Sequence, residues 1–158
     1  MSMGFVLLLI FGIGVVSGLR TFTGVAAVVW GAHLGWINLS GTPFAFMGST
    51  WALVLFTVLA LLEYVGDQLP STPARTAPMP LGARLIFGML AGACLAVAGA
   101  ASIWVGVIAA AVGALVGAFG GYHTRVGLVR SLKVPDIAVG VPEDLIAIAL
   151  GLFVVSRF

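Results

Sequence analysis

The sequence predicts an all-α fold, a polytopic membrane helix bundle of about six transmembrane helices. Three observations carry that prediction. Apolar residues make up 61% of the 158-residue chain and charged residues only 8%. The mean hydropathy is +1.23. The apolar stretches recur at close to the ~20 residues that a helix needs to cross a bilayer. Soluble domains carry about 25% charged residues and could not hide this much apolar surface in a fold of this size. Lipid is therefore the expected solvent, and residues 1–158 read as a single integral membrane domain.

The first span covers residues 3–18 and the second 21–37. One helix over 3–37 would be ~50 Å long at 1.5 Å per residue, against a hydrocarbon core of ~30 Å. The run must break, and "SGLRT" (17–21) is where it can. Ser17 and Gly18 permit a turn, and Arg20 supplies a head group that reaches the interface. Both arms are short, so a re-entrant hairpin with four further spans is the alternative to six. No basic residue precedes the first run, which continues past any cleavage point, so it reads as a span rather than a signal peptide.

The segment "INLSGTPFAFMGS" (37–49) has loop composition, and the third span follows at 50–67. "QLPSTPARTAPMPLGAR" (68–84) carries four prolines, which end helices. The fourth span is expected at 82–98 and the fifth at 102–121, joined tightly through "AGAASIW" (98–104). Residues 122–142 form a third loop with a short interfacial helix at 123–132. The sixth span is then 142–157, with Pro142 in its first turn.

Six spans return the chain to its starting side. The opposite side receives Arg20, Glu63, Asp67, Arg75, Arg84, His123, Arg125, Arg130, Lys133, Asp136, Glu143 and Asp144; the starting side receives His33 and Arg157. Six of the seven Lys/Arg residues thus share one side, which the positive-inside rule assigns to the cytoplasm. Both termini are expected outside. Trp36, Trp51 and Trp104 fall near the starting side and Tyr64 and Tyr122 near the charged one, as an aromatic belt requires.

"LIFG" occurs at 9–12 and at 85–88. Each copy opens a pattern of helix, tight turn, helix, longer loop, helix, with the tight turns on opposite sides. That order predicts a 3+3 inverted-topology repeat with halves 1–67 and 82–158. Small residues at four-residue spacing line helix faces and let backbones approach: Gly14 and Gly18, Gly88 and Gly92, and Gly113, Gly117 and Gly121. Packing within one subunit, a subunit interface and a pore lining are all open to these stripes.

Glu63 and Asp67 are four residues apart and share a helix face. Glu143 and Asp144 open the sixth span, where negative charge is favoured. Charges at membrane depth pair with one another or line wet cavities, so Arg20 is expected to pair with Glu63 or Asp67. A desolvated Glu63 would suit proton coupling. His123 reads as a relay, a ligand or an interfacial anchor. The candidate substrate- or ion-binding residues are Arg20, Glu63, Asp67, Arg75, Arg84, His123, Arg125, Glu143 and Asp144.

Several classes are set aside. A net charge of +2 without a basic stripe does not fit nucleic-acid binding. Cys94 is alone, so no intrachain disulfide can form. No His/Cys cluster or nucleophile elbow is present, and "GAFGG" lacks the lysine and strand of a phosphate loop. No metal, cofactor or enzymatic activity is expected.

"SGLRTF", "EYVGDQLP" and "PEDLIA" carry a resemblance. Ser17, Gly18, Leu19, Arg20 and Phe22, then Glu63, Asp67 and Pro70, then Glu143, Asp144 and Ala147 match the motifs S-G-L-R-x-F, E-x-x-x-D-x-x-P and E-D-x-x-A. The chain resembles an uncharacterised bacterial family of small integral membrane proteins, a domain-of-unknown-function family. Family members often carry a lysine after the aspartate and a histidine in the following loop, where this sequence has Gln68 and Arg75. The resemblance implies a multi-pass protein of the bacterial cytoplasmic membrane and brings no activity with it.

The expected function is transport or conduction of a small ion, an anionic solute or a lipid head group through the charged layer. A six-span chain would do this as a homo-oligomer in the lipid bilayer. The alternative is a non-transporting scaffold whose charged face docks partners or anionic lipids.

Overall fold

The computed structural model describes residues 1–67 and 76–158. Six α-helices and one short 3-10 turn account for the described residues, and no strand occurs among them. The helices are α1 (Met3–Leu19), α2 (Thr23–His33), α3 (Thr50–Gly66), α4 (Pro78–Ala98), α5 (Ile103–Leu132) and α6 (Ile137–Val155). The 3-10 turn, Ala45–Gly48, lies between α2 and α3. By length and composition, α4, α5 and α6 can each cross a membrane, while α1 and α3 are apolar but have 17 residues each.

Four boundaries differ from the sequence reading. The second helix stops at His33 instead of 37, because Gly35 takes a left-handed φ of +78° and the amide of Trp36 turns back to the carbonyl of Gly31 at 2.9 Å. That is a Schellman stop, which glycine adopts without steric cost. The fourth helix starts at Pro78 instead of 82; Pro78 and Pro80 lie in its first turn, where no amide donor is needed. The fifth span and the expected interfacial helix are one continuous α5, closed by Lys133 in the left-handed region at φ +53°. The sixth helix starts at Ile137, leaving Pro142 inside it. The bond Pro142 forfeits would run back to the first turn, where the helix is easily strained.

The core is built around α1, which packs along α5, α4 and α6. A methyl group on Gly14 would overlap the backbone carbonyl of Ala110, and one on Gly117 the carbonyl of Val15. Gly18 and Gly113 meet the facing helix in the same way, and Gly88 and Gly92 bring α4 against Ala114 and Ala110. Backbones therefore touch along the α1–α5 seam. Gly121 lies outside this seam, in a crevice between α5 and α6 lined also by Arg125, Leu128 and Ile146. Helix α3 rests mainly on α2 and joins the core through Ala52, Phe56 and Ala60, its only buried residues.

Side-chain contacts fix which helix ends meet. Gly99, at the end of α4, faces Val6 and Phe158, so the start of α1 and the end of α6 share one end of the bundle. At that end Trp51 and Trp104 are strongly exposed. At the other end meet the end of α1, the start of α2, the end of α3 and the start of α6.

Candidate functional site

Arg20 sits in the three-residue connection between α1 and α2. Its extended backbone (φ −141°, ψ 118°) is held by a bond from its amide to the carbonyl of Val16. The side chain is completely buried. Its guanidinium pairs with Asp67, at the end of α3, and with Asp144, in α6; Glu143 lies 3.9 Å away. One cation thus joins carboxylates on two helices separated by about half of the chain. Burying such a group is tolerable only because the partners replace its water.

A second cation, Arg125 of α5, extends the network. Its Nε donates to Asp136 Oδ1 at 2.8 Å and its Nη1 to Glu143 Oε2 at 3.4 Å. Asp136 occupies the N-cap position of α6, so the ion pair also fixes where that helix begins.

Glu63 is used differently. The backbone amide of Thr21 donates to its Oε1 at 2.6 Å and that of Phe22 to Oε2 at 2.9 Å. Both amides precede the first turn of α2, where the helix leaves donors unpaired and favours negative charge. Arg84 Nη1 lies 3.7 Å from the same carboxylate and donates to the carbonyls of Gly18 and Leu19 at 3.2 and 3.0 Å. Arg84 therefore satisfies the open C-terminus of α1 while Glu63 satisfies the open N-terminus of α2. The neighbouring Tyr64 hydroxyl shares a 2.8 Å hydrogen bond with Thr23 Oγ1. Next to this layer, Phe87 of α4 packs against Phe22 (centroids 4.8 Å) and Phe56 (6.3 Å), an apolar floor under the charges.

Of the sequence-predicted residues, Arg20, Asp67, Arg125, Glu143 and Asp144 form one connected network, with Glu63 and Arg84 beside it. The expected pairing of Arg20 falls on Asp67; Glu63 goes to the amides instead. His123 is not brought in: it is exposed, and its Nδ1 lies 2.7 Å from the carbonyl of Phe119 on its own helix. Arg75 and Pro70 lie outside the described residues. Among the described residues, no three His, Cys, Asp or Glu side chains come together in a way that could hold a metal ion.

Two contributors were missed in the sequence. Asp136 lay in an expected loop, although "PDIAV" is an acidic N-cap followed by an apolar run. Tyr64 was read only as a belt residue.

No curated protein and no solved structure matches the chain. A family model does match, over residues 7–156, and its description is "Domain of unknown function (DUF4126)". That stretch holds α2 to α6 and all but the first four residues of α1, including every residue of the ionic network, and the chain belongs to the DUF4126 family.

Proposed function

We propose that this chain is a multi-pass protein of the bacterial cytoplasmic membrane that moves a small ion, an anionic solute or a lipid head group, with the ionic network as the lock on its path. The observation that carries this reading is Arg20: fully buried, and held at once by carboxylates of α3 and α6. An anion reaching Arg20 would compete with Asp67 and Asp144. Release of those carboxylates would free the end of α3 from the start of α6. Glu63 or Asp67, at the end of the thinly packed α3, is the coupling carboxylate of this scheme.

In this reading the network faces the cytoplasm, both termini lie outside, and two or more copies assemble. Each half has three helices with a short first connection, 20–22 and 99–102, and the reading keeps an inverted repeat on that order alone; the second connection is long only in the first half, because four residues join α5 to α6. Within it α2 is the shortened counterpart of α5, 11 residues against 30.

The test is flux in proteoliposomes for wild type, Glu63→Gln and Arg20→Lys. Solute movement that both substitutions abolish supports transport. Folded protein without flux of protons, sodium, chloride or phosphate favours the scaffold reading. One observation speaks for that second reading: the network closes on itself, with Arg20 fully buried and the side chains of Glu63, Asp67, Glu143 and Asp144 at most 16% exposed.

A further inference from the structure

A lateral groove of about 450 Å³ runs along α2, with α3 on one side and α6 on the other. Its floor is deep because the residues there are small: Ala26 and Ala27 of α2, and Ala60 of α3. Its rims, Leu61 and Leu152, are exposed. Trp30, Leu34 and Trp36 stand at one end; Thr23 and Tyr64 stand at the other, next to the ionic network.

We propose that this groove binds one hydrocarbon chain of a bilayer lipid, entering sideways, with its head group at the tryptophan end and its terminal methyl toward Tyr64. Three features select this occupant. The groove follows α2, whose 11 residues span ~16 Å at 1.5 Å per residue, about half of a ~30 Å hydrocarbon core. Its occupant therefore comes from the lipid.

The lining is nearly all carbon. Its polar groups are already used among themselves: Thr23 with Tyr64, and Trp30 Nε1 donating to Thr57 Oγ1 at 3.1 Å. A polar head group would find only a few hydroxyls along that length, each already engaged in one hydrogen bond.

The volume favours a chain over a helix. A helix ~10 Å across laid along ~16 Å fills about 1,300 Å³, far more than the 450 Å³ present. The Tyr64–Thr23 bond closes the inner end, which places the head group at the open tryptophan end, where indole rings favour the interface. This inference does not depend on transport.

The experiment uses the full chain in vesicles doped with phosphatidylcholine bearing a diazirine on one acyl chain, either near the glycerol or near the methyl end. The methyl-end probe is expected to label the stretch around Ala60–Tyr64, and the glycerol-end probe that around Trp30–Trp36. Ala60→Leu and Ile148→Trp fill the groove from two different helices and should bring groove labelling to background. Leu62→Phe, on the exposed outer face of α3, should leave it unchanged. Equal labelling of the outer and groove faces of α3 in the wild type overturns the proposal. So does full labelling in a filled variant that melts like the wild type, or a cross-link between two copies through cysteines at 61 and 152.

Discussion

Glu63 Oε1 lies 2.6 Å from the backbone nitrogen of Thr21, and this single side chain makes the cap that α2 cannot make for itself. Phe22 occupies the N-cap position and has no side-chain acceptor to offer. A carboxylate from another helix serves the amides just ahead of the first turn instead, those of Thr21 and Phe22. Hydrogen bonds to a charged group contribute about 1.5–3 kcal/mol. Glu63→Gln keeps one acceptor and turns an amide NH₂ toward a donor, so it should destabilise by about 2 kcal/mol. Glu63→Ala should cost more. Denaturant unfolding of the detergent-solubilised protein measures both, and a Glu63→Ala variant as stable as the wild type would refute the capping role.

Arg20→Ala should be the most damaging single change at the site. It leaves Asp67 and Asp144 buried without their counter-charge, a loss of about 3–5 kcal/mol for a broken buried pair. Removing the orphaned charges as well should recover part of the loss. The triple variant Arg20→Ala, Asp67→Asn, Asp144→Asn is therefore expected to unfold at higher denaturant than Arg20→Ala alone. If the losses simply add, the residues do not act as one network.

Glycines of the same helix should differ sharply. Gly117→Leu drives a side chain into the carbonyl of Val15 and should cost about 3 kcal/mol or more, or abolish folding. Gly120 has nothing near its missing side chain, and Gly120→Ala should be neutral or stabilise by up to ~1 kcal/mol through helix propensity. Melting curves of the two variants give the comparison. Similar losses would place the α1–α5 contact elsewhere.

The proposed topology has its own check. Cys94 is completely buried, so the wild-type chain should resist an impermeant maleimide. Cysteines introduced at Arg130 and Arg157 should then react from opposite sides of the membrane, 130 from the cytoplasm and 157 from outside. Reaction of both from one side would remove this topology.

The helical class, the break at Arg20 and the gathering of charges were legible because each follows from length or from the cost of ions in lipid. Three features were not. The early end of α2 depends on Gly35, whose left-handed turn competes with an apolar run that continues through Trp36 and Ile37. The early start of α6 was hidden by Pro142, since a proline in a first turn and one inside a helix look alike until the preceding cap, Asp136, is weighed. The amide partners of Glu63 were hidden because charge counting sees side chains only; it finds Arg84 beside the carboxylate but not the backbone donors of Thr21 and Phe22.

The α1–α5 seam has a consequence for biogenesis. Its first half leaves the ribosome roughly a hundred residues before its second. Until then the N-terminal hairpin faces lipid with a glycine-lined surface, and Arg20 has no counter-charge from α6. Asp67 can supply the first counter-charge as soon as α3 is made, and Asp144 the second only when α6 follows, so the last helix made completes the ion cluster that the first one began.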